Sequence, residues 1–121
     1  MKEMIVFVLI CLATIGTKAQ LANTKWKGTL HLENPMDVFF NFGTDTLEVV
    51  NAGDNSPLET MIYSVKDTVL TIQKVSGMSV CDSDPFKYSF EITGSDMTLH
   101  LVTDACDDRA QVLNNMKLSK Q

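Results

Sequence analysis

The chain has a single arginine, a single tryptophan and three prolines in its 121 residues, and it contains no short enzyme signature. There is no G-x-S-x-G, H-E-x-x-H, P-loop or G-x-G-x-x-G, so the strained nucleophile turn, the helical zinc pair and the glycine-rich phosphate cradle are all missing. No C-x-x-C occurs, which removes the usual redox and zinc-ribbon spacings. His31 and His100 have no ligand near them in sequence, and both fall on outward positions of alternating segments. Asp82 and Asp84 in "CDSDP" lack the spaced oxygen donors and the turn glycine of a calcium loop, and Pro85 stands there instead. Basic residues are also too few: ten Lys and Arg against fifteen Asp and Glu give a formal charge of −5. Phosphate backbones and anionic headgroups both require a clustered basic face. These absences predict a protein that is not an enzyme, holds no cofactor or metal, binds no nucleic acid and does not insert in a membrane.

Long apolar runs are lacking too, with one exception. Residues Met4–Ile15 form an apolar stretch behind Lys2 and ahead of Gly16, Thr17, Lys18 and Ala19. That is the layout of a secretory signal peptide, and Thr17 and Ala19 fit a cleavage before Gln20. The run is too short to span a bilayer, which takes roughly 20 apolar residues. Cys11 lies inside it behind Ile10, where a lipoprotein would carry a small residue. We therefore expect residues 1–19 to be a signal peptide and residues 20–121 to be one domain, secreted or periplasmic. Removing residues 1–19 from the 121 leaves 102, and takes the charge from −5 to −6 because Lys2, Glu3 and Lys18 leave. It also removes Cys11, leaving Cys81 and Cys106. An even pair in an exported chain points to a disulfide. A redox pair or half of a metal site is the alternative, and no spacing supports either.

What is abundant is alternation. Turn signals recur at "NP" 34–35, "FGTD" 42–45, "AGDNSP" 52–57, "KD" 66–67, "SGMS" 76–79 and "TGSD" 93–96. Between them we read eight strands, near 25–33, 37–42, 46–51, 60–65, 68–75, 86–92, 97–103 and 115–119. In "FKYSFEI" the inward set is Phe86, Tyr88, Phe90 and Ile92. In "DVFFNF" it is Val38, Phe40 and Phe42, in "ETMIYSV" Met61, Tyr63 and Val65, and in "MTLHLV" Met97, Leu99 and Leu101. One face buried and one wet, repeated over eight hairpin-linked strands, is most economically satisfied by closure, which removes the exposed edges. The expected fold is an all-β, eight-stranded antiparallel up-and-down barrel, with one short helix or turn before the last strand. Phe39, Val50 and Ile62 fall outward and could form an apolar patch on neighbouring strands.

Only residues 102–113, "VTDACDDRAQVL", break the rhythm. Asp104 is placed to cap a short helix, with Asp107 three residues on and Ala110 and Leu113 sharing one face. As chemistry, Asp104, Asp107, Asp108 and Arg109 could be paired carboxylates with an arginine. As structure, the acids cap the helix, Cys106 staples it to Cys81, and Arg109 packs over the barrel's end. Adjacent acids at a helix start point apart and stay solvated, which favours the structural reading.

A lone tryptophan on the first strand ("TKWKGTL"), then hairpins, a cysteine before an aromatic strand, and "D-x-C-x-x-R" after the next strand resemble the bacterial lipocalin-like domains of the calycin superfamily. Thr24 stands where that pattern carries a glycine, and Gly28 follows. The resemblance runs over residues 23–119. It implies that Trp26 and Arg109 pair at one end of the barrel, the guanidinium stacked on the indole. It also implies a small apolar or amphipathic ligand inside the barrel, with Phe40, Phe42, Met61, Tyr63, Leu70, Ile72, Tyr88, Phe90, Met97 and Leu99 as the candidate lining. An eight-stranded barrel can equally be filled by its own side chains. In that case the function would fall to a protein partner, met through loops or the Phe39, Val50 and Ile62 face.

Overall fold

A computed structural model describes residues 17–121. Residues 1–16, which hold most of the expected export signal, lie outside it. The eight strands are β1 (Thr24–Leu30), β2 (Met36–Phe42), β3 (Thr46–Asn51), β4 (Pro57–Lys66), β5 (Val69–Gly77), β6 (Phe86–Thr93), β7 (Asp96–Thr103) and β8 (Lys117–Lys120). Each pairs antiparallel with its sequence neighbour, and β8 returns to β1, closing the barrel. Among the described residues two short helices accompany the strands: α1 (Lys18–Leu21) and α2 (Asp107–Leu113).

The alternation produces this directly. In β6, Phe86, Tyr88, Phe90 and Ile92 are all buried while Lys87, Glu91 and Thr93 are exposed. Trp26, Val38, Phe40, Phe42, Leu47, Met61 and Tyr63 join them in one core. Closure depends on a glycine. A side chain at Gly28 would meet Leu118 and Met116 side-chain atoms at 2.5 and 2.6 Å, so the bare α-carbon is what lets β1 approach β8. The β4–β5 hairpin turns on Asp67 and Thr68, both at positive φ, the twist that suits a two-residue connection.

One end of the barrel is sealed. Leu21 is fully buried beneath it, and Thr24 hydrogen-bonds through its hydroxyl to the Leu21 carbonyl while accepting the Trp26 indole N–H at 2.8 Å. Lys18 reaches Asp45 at 2.6 Å on the same end. The junction expected to be cut, Ala19–Gln20, lies within α1.

Three residues depart from the side that alternation gives them. Val50 is buried at 4 % exposure, because the β3–β4 register shifts at Val49/Val50 and both valines are covered. Phe39 is half-buried with Lys25 Nζ 4.1 Å above its ring, so of the expected patch only Ile62 stands exposed. Leu101 is 41 % exposed rather than inward, since the β6–β7 register shifts at Lys87/Tyr88 and β8 pairs β7 only over residues 96–98.

Candidate functional site: a cavity at the open end

The β1–β2 hairpin, the β3–β4 and β5–β6 loops and α2 gather at the other end, and there the barrel is hollow. A cavity of about 480 Å³ runs down from this mouth, and its wall is almost wholly apolar. Of the ten expected lining residues, seven face it: Phe40, Phe42, Met61, Leu70, Ile72, Tyr88 and Leu99. The other three, Tyr63, Phe90 and Met97, are inward but belong to the sealed half. Tyr63 donates its hydroxyl to the Gly43 carbonyl at 2.7 Å, and Met97 pairs with Ile92 and Leu118 next to the β6–β7 turn. They form part of the floor. Alternation predicts which face a residue takes but not its depth along the barrel.

The sequence "VTDACDDRAQVL" makes one side of the mouth. Cys106 is bonded to Cys81 with Cα atoms 5.7 Å apart, which ties the start of α2 to the β5–β6 loop. Asp104 does not cap α2; Cys106 occupies the cap position. The Asp104 carboxylate, whose side chain is fully buried, is already committed. It accepts the Tyr88 hydroxyl at 2.8 Å, Arg109 Nε and Nη2 at 2.8 and 2.7 Å, and the Cys106 N–H at 2.9 Å. Asp107 and Asp108 are exposed, Asp108 at the rim of the cavity, while Asp104 is buried and fully engaged, so the acids do not converge as a catalytic pair.

Arg109 and Trp26 do not meet. The guanidinium lies 3.5 Å over the Phe86 ring at the open mouth, whereas Trp26 is at the sealed end with its N–H held by Thr24. The disulfide fixes α2 beside Cys81, and that places Arg109 on the first residue of β6 rather than on β1.

Burial raises the Asp104 pKa, but the hydrogen bonds from Arg109, Cys106 and Tyr88 and the guanidinium charge outweigh it, holding the carboxyl below its ordinary value. Tyr88 is pushed far up, by burial first and then by Asp104, so its hydroxyl stays a donor. A carboxyl whose folded pKa is depressed stabilises the fold fully above the unfolded value of about 3.9, and that contribution is lost as pH falls through the folded value. Asp104→Ala should therefore cost about 2 kcal/mol at neutral pH, the scale of lost hydrogen bonds to a charged group. Urea titrations should also show a weaker dependence on pH below about 4 than in the parent. An equal slope in both proteins would remove Asp104 from the acid response.

Two charged residues in the wall escaped the sequence reading. Glu59 shares the inward parity of Met61 and Tyr63, and Lys74 that of Leu70 and Ile72, so extending each alternation toward the mouth finds them. Lys74 Nζ donates to the Ser79 carbonyl at 2.7 Å, and to the Ser79 hydroxyl and the Cys81 carbonyl at 3.2 Å each. Glu59 Oε1 accepts the Ser79 N–H at 3.3 Å, and Oε2 lies 3.9 Å from Lys74 Nζ. Together they hold the loop that presents Met78 and Val80, 78 and 90 % exposed, at the rim. Gly77 is required here: its φ is +153°, and an added side chain would fall 1.4 Å from Glu59 Oε2.

A second hollow, about 550 Å³, is a polar groove on the outside between β1, β8 and the end of α2, lined by Lys27, Thr29, His31, Asp37 and Lys117 among others. His31 is exposed there, and His100 is exposed with Nδ1 3.2 Å from the Asn115 amide oxygen. Among the described residues no three of His, Cys, Asp and Glu converge as a metal site, and no helix is long and apolar enough to cross a membrane. Comparison with protein-family models, curated proteins and solved structures returns no match.

Proposed function

We propose that this chain is an exported, lipocalin-like binding protein that holds one small apolar or amphipathic molecule in its barrel without acting on it chemically. The observation that carries this reading is the 480 Å³ apolar cavity open at one end of a closed barrel. Its size falls among pockets that enclose small molecules, roughly 300–1,000 Å³. Burying an apolar body in such a space is favourable by about 25 cal/mol for each Å² removed from water. The Cys81–Cys106 bond suits an oxidising compartment, in keeping with the expected export signal. The acidic balance, −5 overall, supports a soluble carrier and speaks against nucleic acid as the partner. A protein partner reading the outer Phe39, Val50 and Ile62 face has less support, because Val50 is buried and the three do not make a continuous surface.

The test is titration with a neutral apolar fluorophore, N-phenyl-1-naphthylamine, against the parent protein and Leu99→Trp. Leu99 is 3 % exposed and faces the cavity, so the larger ring occupies the ligand's space. We expect saturable one-to-one binding in the parent and at least a roughly ten-fold loss in the variant, the scale of about 1.4 kcal/mol. Equal binding by a folded Leu99→Trp would place the dye outside the barrel and remove the proposal's basis.

A further inference from the structure

We propose that the ligand lies apolar end inward and carries a cationic head at the mouth, making the ligand class an amphipathic amine rather than a fatty carboxylate. This rests on the cavity reading above. Among the described residues two hydroxyls lie in the core, those of Tyr63 and Tyr88, and both are already donated, to the Gly43 carbonyl and to Asp104. Neither has a hydrogen left to donate. A phenol oxygen could accept at most part of a charged head's hydrogen bonds, so a charged group deep in the barrel would be left largely unpaired, at high cost. A head must therefore stay at the mouth.

Four charged side chains border that mouth: Glu59, Lys74, Asp108 and Arg109. An ammonium has three N–H groups, and Lys74 directs donors to Ser79 twice and to Cys81, with Glu59 balancing its charge at 3.9 Å. Arg109 is held by both oxygens of Asp104, and its ring-facing side is covered by Phe86. Arg109 keeps further N–H groups, but the charge of the pair cancels. Both cations of the wall are thus neutralised by acids. Asp108 is exposed on α2 and has no ion pair among the described residues. Glu59 Oε2 makes no hydrogen bond, but its charge is the one that balances Lys74. What the wall has left to offer is negative charge. A cationic head gains from Asp108, whereas a carboxylate head would face it.

The experiment is displacement of N-phenyl-1-naphthylamine at neutral pH and low salt by dodecylamine and by dodecanoate, in the parent and in Asp108→Asn. The two competitors share a chain and differ in head charge. We expect dodecylamine to compete at roughly ten-fold lower concentration, since reversing the head's sign counts one screened charge interaction twice. Asp108→Asn, at a solvated position that leaves folding intact, should shrink that gap several-fold. Equal competition, better competition by dodecanoate, or an undiminished gap in Asp108→Asn would overturn the proposal. So would dye binding that neither amphiphile displaces, which leaves the cavity reading standing. Failure of the dye itself to bind would instead bring down the cavity reading and this inference with it.

Discussion

Trp26→Ala is expected to destabilise the protein by about 3–5 kcal/mol, the range for emptying a buried aromatic site. Trp26 is 1 % exposed, pairs with Phe40 on β2 and with Lys120 on β8, and is linked through Thr24 to the fully buried Leu21. Removing the ring leaves a void where three strands meet the plug of the sealed end, and it frees the Thr24 hydroxyl from the indole. A domain of this size has about 5–15 kcal/mol of stability in all, so the loss is a large share. Urea unfolding should show a lowered midpoint with an unchanged slope. Trp26 does not line the cavity, so the protein that remains folded should bind the fluorophore as the parent does. A small change in stability with lost binding would mean that the tryptophan belongs to the ligand site after all.

Breaking the disulfide is expected to cost about 3.5 kcal/mol in the chain-entropy treatment, because it opens a loop closed over a sequence separation of 25. The consequence for binding is larger than for a bond that only shortens the unfolded chain. Cys81, Val80 and Met78 stand on one side of the mouth, and Asp108, Arg109, Val112 and Leu113 on the other, all against the cavity. The bond between Cys81 and Cys106 joins these two walls. Once it is cut, α2 is held by the Asp104 hydrogen bonds and by Leu113 packing on the core. Cys81→Ser/Cys106→Ser should therefore melt lower and bind the fluorophore more weakly, both reported in one thermal and fluorescence titration series. Full affinity in a folded double variant would show that the mouth is set by the barrel alone.

The barrel was legible in the sequence because eight segments each sort their side chains by parity, and the strand limits differ from the alternation by only a few residues. Parity failed where the pairing slips. At Val49/Val50 a register shift buries two consecutive valines, and at Lys87/Tyr88 another leaves Leu101 in solvent. Slips of this kind depend on the partner strand, which a single segment does not encode. The cavity was legible in part, since seven of its expected residues face it, while Tyr63, Phe90 and Met97 sit too deep. Depth follows from how the strands stagger around the barrel, a non-local property. The pairing of Arg109 with Phe86 rather than Trp26 has the same origin: β7 ends at the open mouth, so α2 follows it there, and the disulfide holds it beside Cys81. Glu59 and Lys74 share the inward parity of their strands, but charged residues at inward positions run against the usual pattern, so alternation alone does not mark them as cavity wall.

Native mass spectrometry of the protein, purified without detergent and incubated with excess N-phenyl-1-naphthylamine, tests the hollow barrel most directly. The account predicts a single one-to-one adduct, abolished by denaturation and by Leu99→Trp. A spectrum showing only the bare polypeptide at every concentration would contradict it, and would mean that the space at the open end is closed to a ligand in solution.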